Sequence, residues 1–175
     1  MSARLLNLLL LAALLGGSAA AWPHLPPRIP AHFDFSGTPD RWVETTWLSW
    51  FMLPLIAIGL NALLYGAAAL STRDPRRINM PGKDRLLALP AERQQPVMAT
   101  IREGLEALAA PVTLSFCLIQ LAVYRTATGQ GGRIEVIAAL VLIVLATPII
   151  LIGMLLRSQS ELDRQVRLEH GAAGS

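Results

Sequence analysis

Four stretches of this chain carry no Lys, Arg, Asp or Glu: residues 5–23, 45–72, 107–124 and 136–156. No other feature constrains the fold as tightly. A helix needs about 20 mostly apolar residues to cross a bilayer core. Backbone N–H and C=O groups find no water there, so such segments must be helical. The remaining composition agrees. Hydrophobic residues make up 53% and charged residues 15%, whereas a soluble domain carries about 25% charged residues. A water-soluble globular enzyme and a disordered tail protein are excluded. Cys117 is the one cysteine, so no internal disulfide framework exists, and a small packing role suits it. The net charge of +3 is scattered along the chain, which gives no basic stripe and no nucleic-acid partner.

The first apolar stretch has two readings. A positive start, a short apolar run and the small residues Ala19–Ala21 also describe a cleaved secretory signal. Three further spans follow, and Trp22 sits where an interfacial anchor belongs, so a retained helix is the better reading. Orientation follows from the basic residues. The N-terminus, the loop at 71–104 and the tail after residue 156 hold eleven Lys and Arg, and the opposite loops hold four. The positive-inside rule then places both termini in the cytoplasm and residues 22–46 outside, in a cell (inner) membrane.

The expected architecture is an all-α, integral membrane four-helix bundle with an ordered Pro/Trp-rich extracytoplasmic loop between helices 1 and 2. The spans fall at about 5–21, 47–70, 105–124 and 135–156, within a single membrane domain over residues 1–156. Residues 157–175 form a cytoplasmic tail, its last five residues unordered and the fourth helix running two or three turns into it. Pro54, Pro111 and Pro148 predict bends or freed carbonyls that a neighbouring helix satisfies. Ala62 and Gly66 form a small-residue pair that admits a close helix partner. Asn61 and Gln120 are expected to hydrogen-bond between helices. No Asp, Glu, Lys, Arg or His lies within the uncharged stretches 45–72, 107–124 and 136–156 of spans two to four, which speaks against ion or proton transport. In the 71–104 loop, Pro75, Pro81 and Gly82 break helices. Val97, Ile101, Leu105 and Leu108 mark one helix face that lies on the membrane or leads into span three. Arg73, Arg76 and Arg77 anchor span two at anionic headgroups. Residues 125–135 read as a flexible glycine-rich turn.

Residues 22–46 read WPHLPPRIPAHFDFSGTPDRWVETT. Their prolines favour extended, polyproline-like backbone. Ser36-Gly37 predicts a turn. Thr38-Pro39-Asp40 reads as a helix start, with Thr38 as cap, Pro39 at the first helical position and Asp40 near the positive dipole end. Phe33 and Phe35 would share one face of an extended stretch.

The string Leu25-Pro26-x-x-Ile29-Pro30-x-His32-Phe33, then Gly37-x-Pro39-Asp40-x-Trp42, resembles the signature of a bacterial and archaeal membrane domain of unknown function (domain 1648). That domain is similar to the N-terminal part of the Sdp-type immunity membrane proteins. Asn79-Met80-Pro81-x-Lys83 strengthens the resemblance, which covers roughly residues 20–90 with helical continuation to about 156. It implies structural roles for Pro26, Ile29, Pro30, Asn79, Pro81 and Lys83. It implies recognition by His32, Phe33, Gly37, Pro39, Asp40 and Trp42. Immunity members of the family protect the producer from a secreted toxin and relay its presence by holding a repressor at the membrane.

The chemistry of residues 22–46 stays open at this point. His24, His32, Asp34, Asp40 and Glu44 are ligand types suited to Zn²⁺, but their spacing matches no metal-ligand pattern. Structurally, His32 would bond a turn carbonyl and Asp40 would cap a helix. No nucleophile elbow, phosphate-cradling loop or acid–base pair on one helix face is present. The leading expectation is a non-enzymatic membrane protein, without cofactor or metal, that senses or resists an extracellular factor. Its partners would be the bilayer and another membrane protein or an extracellular peptide, with the basic loop as output surface for signal transduction. The alternatives are an accessory subunit of an envelope transporter or enzyme, and a metal-assisted envelope hydrolase using His32, Asp34 and Asp40.

Overall fold

The computed structural model describes residues 3–173. The elements are α1 (Ala3–Ala21), β1 (Arg28–Phe33), β2 (Pro39–Glu44), α2 (Trp47–Ser71), α3 (Lys83–Ala88), α4 (Ala91–Ala107), α5 (Ala109–Ala127) and α6 (Arg133–Ala173), with 3-10 turns at Trp22–His24 and Pro75–Arg77. Four helical segments are long and apolar enough to cross a membrane, as the uncharged stretches predict. The chain is a multi-pass membrane protein. Its residues group into two compact units: the chain up to Ala62 with Ala109–Ala146, and Leu63–Leu108 with the chain from Thr147 onward.

In the first unit, α2 buries Trp50, Pro54, Ala57 and Asn61 along one stripe, spaced as 3.6-residue periodicity requires. Its large aliphatics, including Leu48, Leu55, Ile58 and Leu63, remain exposed, as lipid-facing residues should be, because lipid is as apolar as they are. Polar groups join the helices. Asn7 Nδ2 donates to Asn61 Oδ1 at 2.6 Å, Asn61 Nδ2 to Thr113 Oγ1 at 2.9 Å, and Thr113 Oγ1 to Asn7 Oδ1 at 2.7 Å. The three residues close a ring of hydrogen bonds across α1, α2 and α5. Within an apolar interior each such bond contributes about 0.6–2 kcal/mol.

The span prolines act in three different ways. Pro54 has no N–H, so the Trp50 carbonyl one turn back lacks its intrahelical donor. Gln120 Nε2 of α5 donates to that oxygen at 3.2 Å, which is the neighbouring-helix rescue expected for a proline in lipid. The Trp50 indole N–H in turn donates to the Ser18 carbonyl of α1 at 2.8 Å. Pro111 separates two helices: α4 stops at Ala107 and α5 restarts at Ala109. The proline ring clashes with the carbonyl four residues earlier, while its missing N–H costs nothing in a first turn. Pro148 lies inside α6 without interrupting it. Of the small pair Ala62 and Gly66, the glycine leaves open space: among the described residues a Cβ built on Gly66 meets nothing within 4 Å.

The second unit has its own core of Met80, Leu86, Leu89, Val97, Met98, Ile101 and Leu162. The expected face of α4 is thus the buried one, and α4 leads into α5 with only Leu108 between them. The helix breaks at Pro75 and Pro81 hold, but α3 forms between Gly82 and Pro90. The last part of α6 is no short extension. It is helical to Ala173 and contributes Leu162 and Val166 to this core. Arg85 pairs with Asp163 at 2.7 Å, Arg93 with Glu169 at 2.5 Å, and Gln159 Nε2 donates to the Pro81 carbonyl at 2.7 Å. The unordered end expected from Gly171 is therefore corrected through Ala173; Gly174 and Ser175 lie outside the described residues, as do Met1 and Ser2 of the signal-like start. Residues 125–135 shrink to a short turn, with α5 reaching Ala127, α6 beginning at Arg133, and Arg125 paired to Glu135 across it.

Candidate functional site: the hairpin and the cavity beside it

The segment between α1 and α2 is a β-hairpin, where the sequence suggested polyproline-like chain and a helix start at Thr38. β1 and β2 run antiparallel with Ile29 opposite Val43, Pro30 opposite Trp42, and Phe33 opposite Pro39. The register shifts around His32, which faces Arg41, and such a bulge re-aims side chains. Prolines are tolerated because both strands of a two-stranded ribbon are edges, where a missing N–H can face away from the partner. Ile29, Trp42 and Val43 supply the β-branched and aromatic residues that strands favour.

Asp34 builds the turn. Its Oδ1 accepts from Ser36 N at 2.9 Å, Ser36 Oγ at 2.7 Å and Thr38 N at 2.9 Å. The Ser36 hydroxyl and the Thr38 amide stabilise its charged form and hold the carboxyl below the usual value of 3.8, with Arg133 a lesser contributor. Gly37 has φ 78°, and a Cβ there would sit 3.0 Å from both Cγ and the carbonyl oxygen of Arg133. Glycine is required twice over, for the left-handed backbone and for the close approach of α6. At the hairpin base, Thr45 N and Oγ1 donate to the Pro27 and Pro26 carbonyls at 2.9 and 2.6 Å. The true start of α2 is at Thr46: Ser49 N donates to Thr46 Oγ1 at 3.1 Å and Thr46 N to Ser49 Oγ at 2.8 Å, a reciprocal cap.

Asp40 therefore caps no helix, and His32 bonds no turn carbonyl. They bond each other, His32 Nδ1 to Asp40 Oδ1 at 2.6 Å, with side chains 58% and 50% exposed. Such exposure leaves the pair little effect on stability. Phe33 packs toward the core formed by Ile29, Trp50, Phe51 and Val123. Phe35 does not share its face; it stands in the turn, 97% exposed. Trp22, Trp47 and Phe51 form an aromatic cluster, with Trp47 and Phe51 stacked at 4.2 Å.

Beside the hairpin, β1, β2, α2, α5 and α6 enclose a cavity of about 750 Å³. Its walls are apolar, including Leu53, Ile119, Val123 and Leu140, and its polar lining includes His32, Asp34, Asp40, Arg41 and Gln120. Of the sequence-nominated residues, Pro30, His32, Phe33, Asp34 and Asp40 line it. Gly37, Pro39 and Trp42 do not; they shape the turn and strands. Pro26 and Ile29 hold the hairpin base and core, while exposed Asn79 and Pro81 and half-buried Lys83 belong to the other unit. Lys83 Nζ donates to the Arg76 carbonyl at 2.7 Å. Among the described residues no three His, Cys, Asp or Glu gather to hold a metal ion, and Asp34 is engaged by its own turn instead of joining His32 and Asp40.

Sequence reasoning overlooked Asn7 and Ser18 in α1 and the cavity role of Trp50. The visible signal was Pro54, four residues after Trp50, which marks a carbonyl in need of a donor. Residues 8–58 match the family model of a domain of unknown function (DUF1648), a stretch running from α1 through the hairpin into α2. Neither the curated proteins nor the solved structures contain a match.

Proposed function

We propose that this multi-pass membrane protein is non-enzymatic and takes up an amphipathic factor from outside the cell, either to resist it or to report it. The cavity beside the hairpin carries this reading. Its volume of about 750 Å³ lies within the range of small-molecule sites, and apolar walls with a few convergent polar groups are what such sites use. A molecule with an apolar body and a polar end would bury the first against Leu53, Ile119 and Leu140. The second would meet the His32–Asp40 pair and Arg41.

The proposed orientation has the hairpin outside, at an inner membrane, and both termini in the cytoplasm. The excess of Lys and Arg in the other loops supports it. The cluster of Trp22, Trp47 and Phe51 suits the headgroup level at the hairpin end. The basic 71–104 segment then serves as the cytoplasmic output surface, in keeping with the immunity-like behaviour that the resemblance implies.

Two measurements test this. In Ser36→Cys, at the exposed turn, an impermeant maleimide added to intact cells labels the protein; labelling only after lysis reverses the orientation. In a bacterial host, expression raises survival against secreted membrane-active peptides, and His32→Ala with Asp40→Ala removes the gain at unchanged membrane abundance. Undiminished survival with both substitutions overturns the reading.

A further inference from the structure

Beyond the end of α2 at Ser71 lies a cleft of about 390 Å³, all of whose lining belongs to the second unit. Thr72 and Arg73 border it just past α2, and Gln94, Gln95 and Arg102 border it from α4. Two guanidiniums remote in sequence therefore share one hollow, and no Asp or Glu lines it. The acids nearest in the chain do not balance them there. Asp74 Oδ1 accepts from the Arg76 amide at 3.0 Å, and Glu92 and Glu103 are exposed outside the lining.

The two arginines are prepared for an anion in different ways. Glu106, its side chain 6% exposed, accepts from Arg102 Nε at 2.9 Å. That bond holds the guanidinium yet leaves its terminal nitrogens without a hydrogen bond to the described residues. Arg73 has no ion pair or side-chain hydrogen bond among them. A free guanidinium fork matches two oxygens of one phosphate. The negative end of the α2 dipole accounts for a cation at Arg73, but not for Arg102, which stands on another helix. The level in the membrane adds a second requirement. Thr72 and Arg73 follow directly on a spanning helix, whose Leu63 and Leu70 are 66% and 52% exposed. An anion with an acyl chain satisfies the arginines and covers those leucines together.

We propose that this cleft holds the phosphate of an anionic phospholipid from the leaflet at the Ser71 end of α2. Arg73 and Arg102 donate to its oxygens, and an acyl chain follows the exposed leucines of α2. The sequence alone suggested Arg73, Arg76 and Arg77 as headgroup anchors. The fold replaces that set with a pair, since Arg102 lines the cleft and Arg76 and Arg77 do not. The site is separate from the hairpin cavity. It depends neither on an extracellular factor nor on which side of the membrane the hairpin occupies.

The test uses the full chain in a neutral detergent, titrated with phosphatidylglycerol or with phosphatidylcholine of the same acyl chains. Native mass spectrometry reads the Kd of the first lipid bound. Phosphatidylglycerol binds about tenfold tighter, the margin of one hydrogen bond to a charged group. Arg73→Gln weakens it about five- to tenfold. Arg76→Gln and Arg77→Gln remove the same charge from the same loop, and each changes it less than about twofold, because exposed charges away from the ligand are screened. Arg102→Lys keeps the charge but not the planar fork, and weakens it about threefold. Inorganic phosphate at about 10 mM does not displace the lipid, since it has no chain to bury. His32→Ala with Asp40→Ala leaves the affinity unchanged, so this site and the hairpin reading stand or fall separately. Equal affinity for the two lipids, or an equal loss in Arg76→Gln and Arg73→Gln, overturns the proposal, and displacement by inorganic phosphate overturns the choice of a lipid. Arg73 is exposed, so its substitution spares the fold; should Arg102→Lys not fold, the comparison of Arg73→Gln with Arg76→Gln decides.

Discussion

The hairpin turn and the Asn7–Asn61–Thr113 ring both depend on short polar hydrogen bonds, in opposite surroundings. Asn7, Asn61 and Thr113 are 0–3% exposed, whereas His32 and Asp40 are half exposed. In the ring, a lost partner has no water to replace it, so each bond matters to stability. At the hairpin, water competes for the same groups, so the His32–Asp40 pair is nearly free to serve recognition. Polar groups of similar geometry thus divide into a structural set and a set available for function, and burial makes the division.

The largest effect expected from breaking this contrast comes from Asn61→Ala. It removes the acceptor for Asn7 and the donor to Thr113, and should cost about 2–3 kcal/mol by the sum of two impaired buried groups. Thermal or denaturant unfolding in detergent measures it, and a loss below that of the hairpin variants would erase the contrast. Gly37→Ala comes next. A non-glycine residue in the left-handed region costs about 1–3 kcal/mol, and the methyl group also presses on Arg133, so proteolysis at the turn should accelerate while the helices stay protected. Thr46→Ala removes the reciprocal cap of α2 and should cost about 1 kcal/mol, seen as faster amide exchange at Ser49. His32→Ala should change stability by less than about 1 kcal/mol; a larger loss would mean that the pair holds the hairpin together and is not reserved for recognition.

The smallest effect is that of acid on the turn. Asp34 has its carboxyl held below 3.8. A depressed folded value means that the charged turn is stabilising above 3.8 and that the contribution fades as pH falls through the lower, folded value. Amide exchange at Ser36 and Thr38, corrected for intrinsic rates, should be equally protected at pH 5 and 7 and rise only below pH 3.8. In Asp34→Ala the protection disappears at every pH.

Much of the helical frame was readable in advance because lipid imposes so simple a rule. An uncharged stretch of spanning length must be a helix, and an amide inside it must find a partner. Asn61 and Gln120 were therefore recognisable as interhelical bonders, although their partners were not. The hairpin was misread because Pro30 and Pro39 forbid a central strand but not a two-stranded ribbon, and Thr38-Pro39-Asp40 looks locally like a helix start. What overrides that local preference is cross-strand pairing with Ile29 and Phe33 and burial of Ile29 against Trp50 and Val123. Within the candidate site, His32, Phe33 and Asp40 were legible as residues, but their meeting beside Ile119, Val123 and Leu140 was not, since those lie some 80–100 positions further along the chain.

The sequence alone settles that this polypeptide inhabits a bilayer and about where its four apolar spanning segments lie, because hydropathy and charge act on each segment separately. Which polar atoms pair and where space is left between helices are decided only in the packed molecule. Those outcomes depend on distances between residues remote in sequence: Asn7 with Thr113, Ser18 with Trp50, and Trp50 with Gln120.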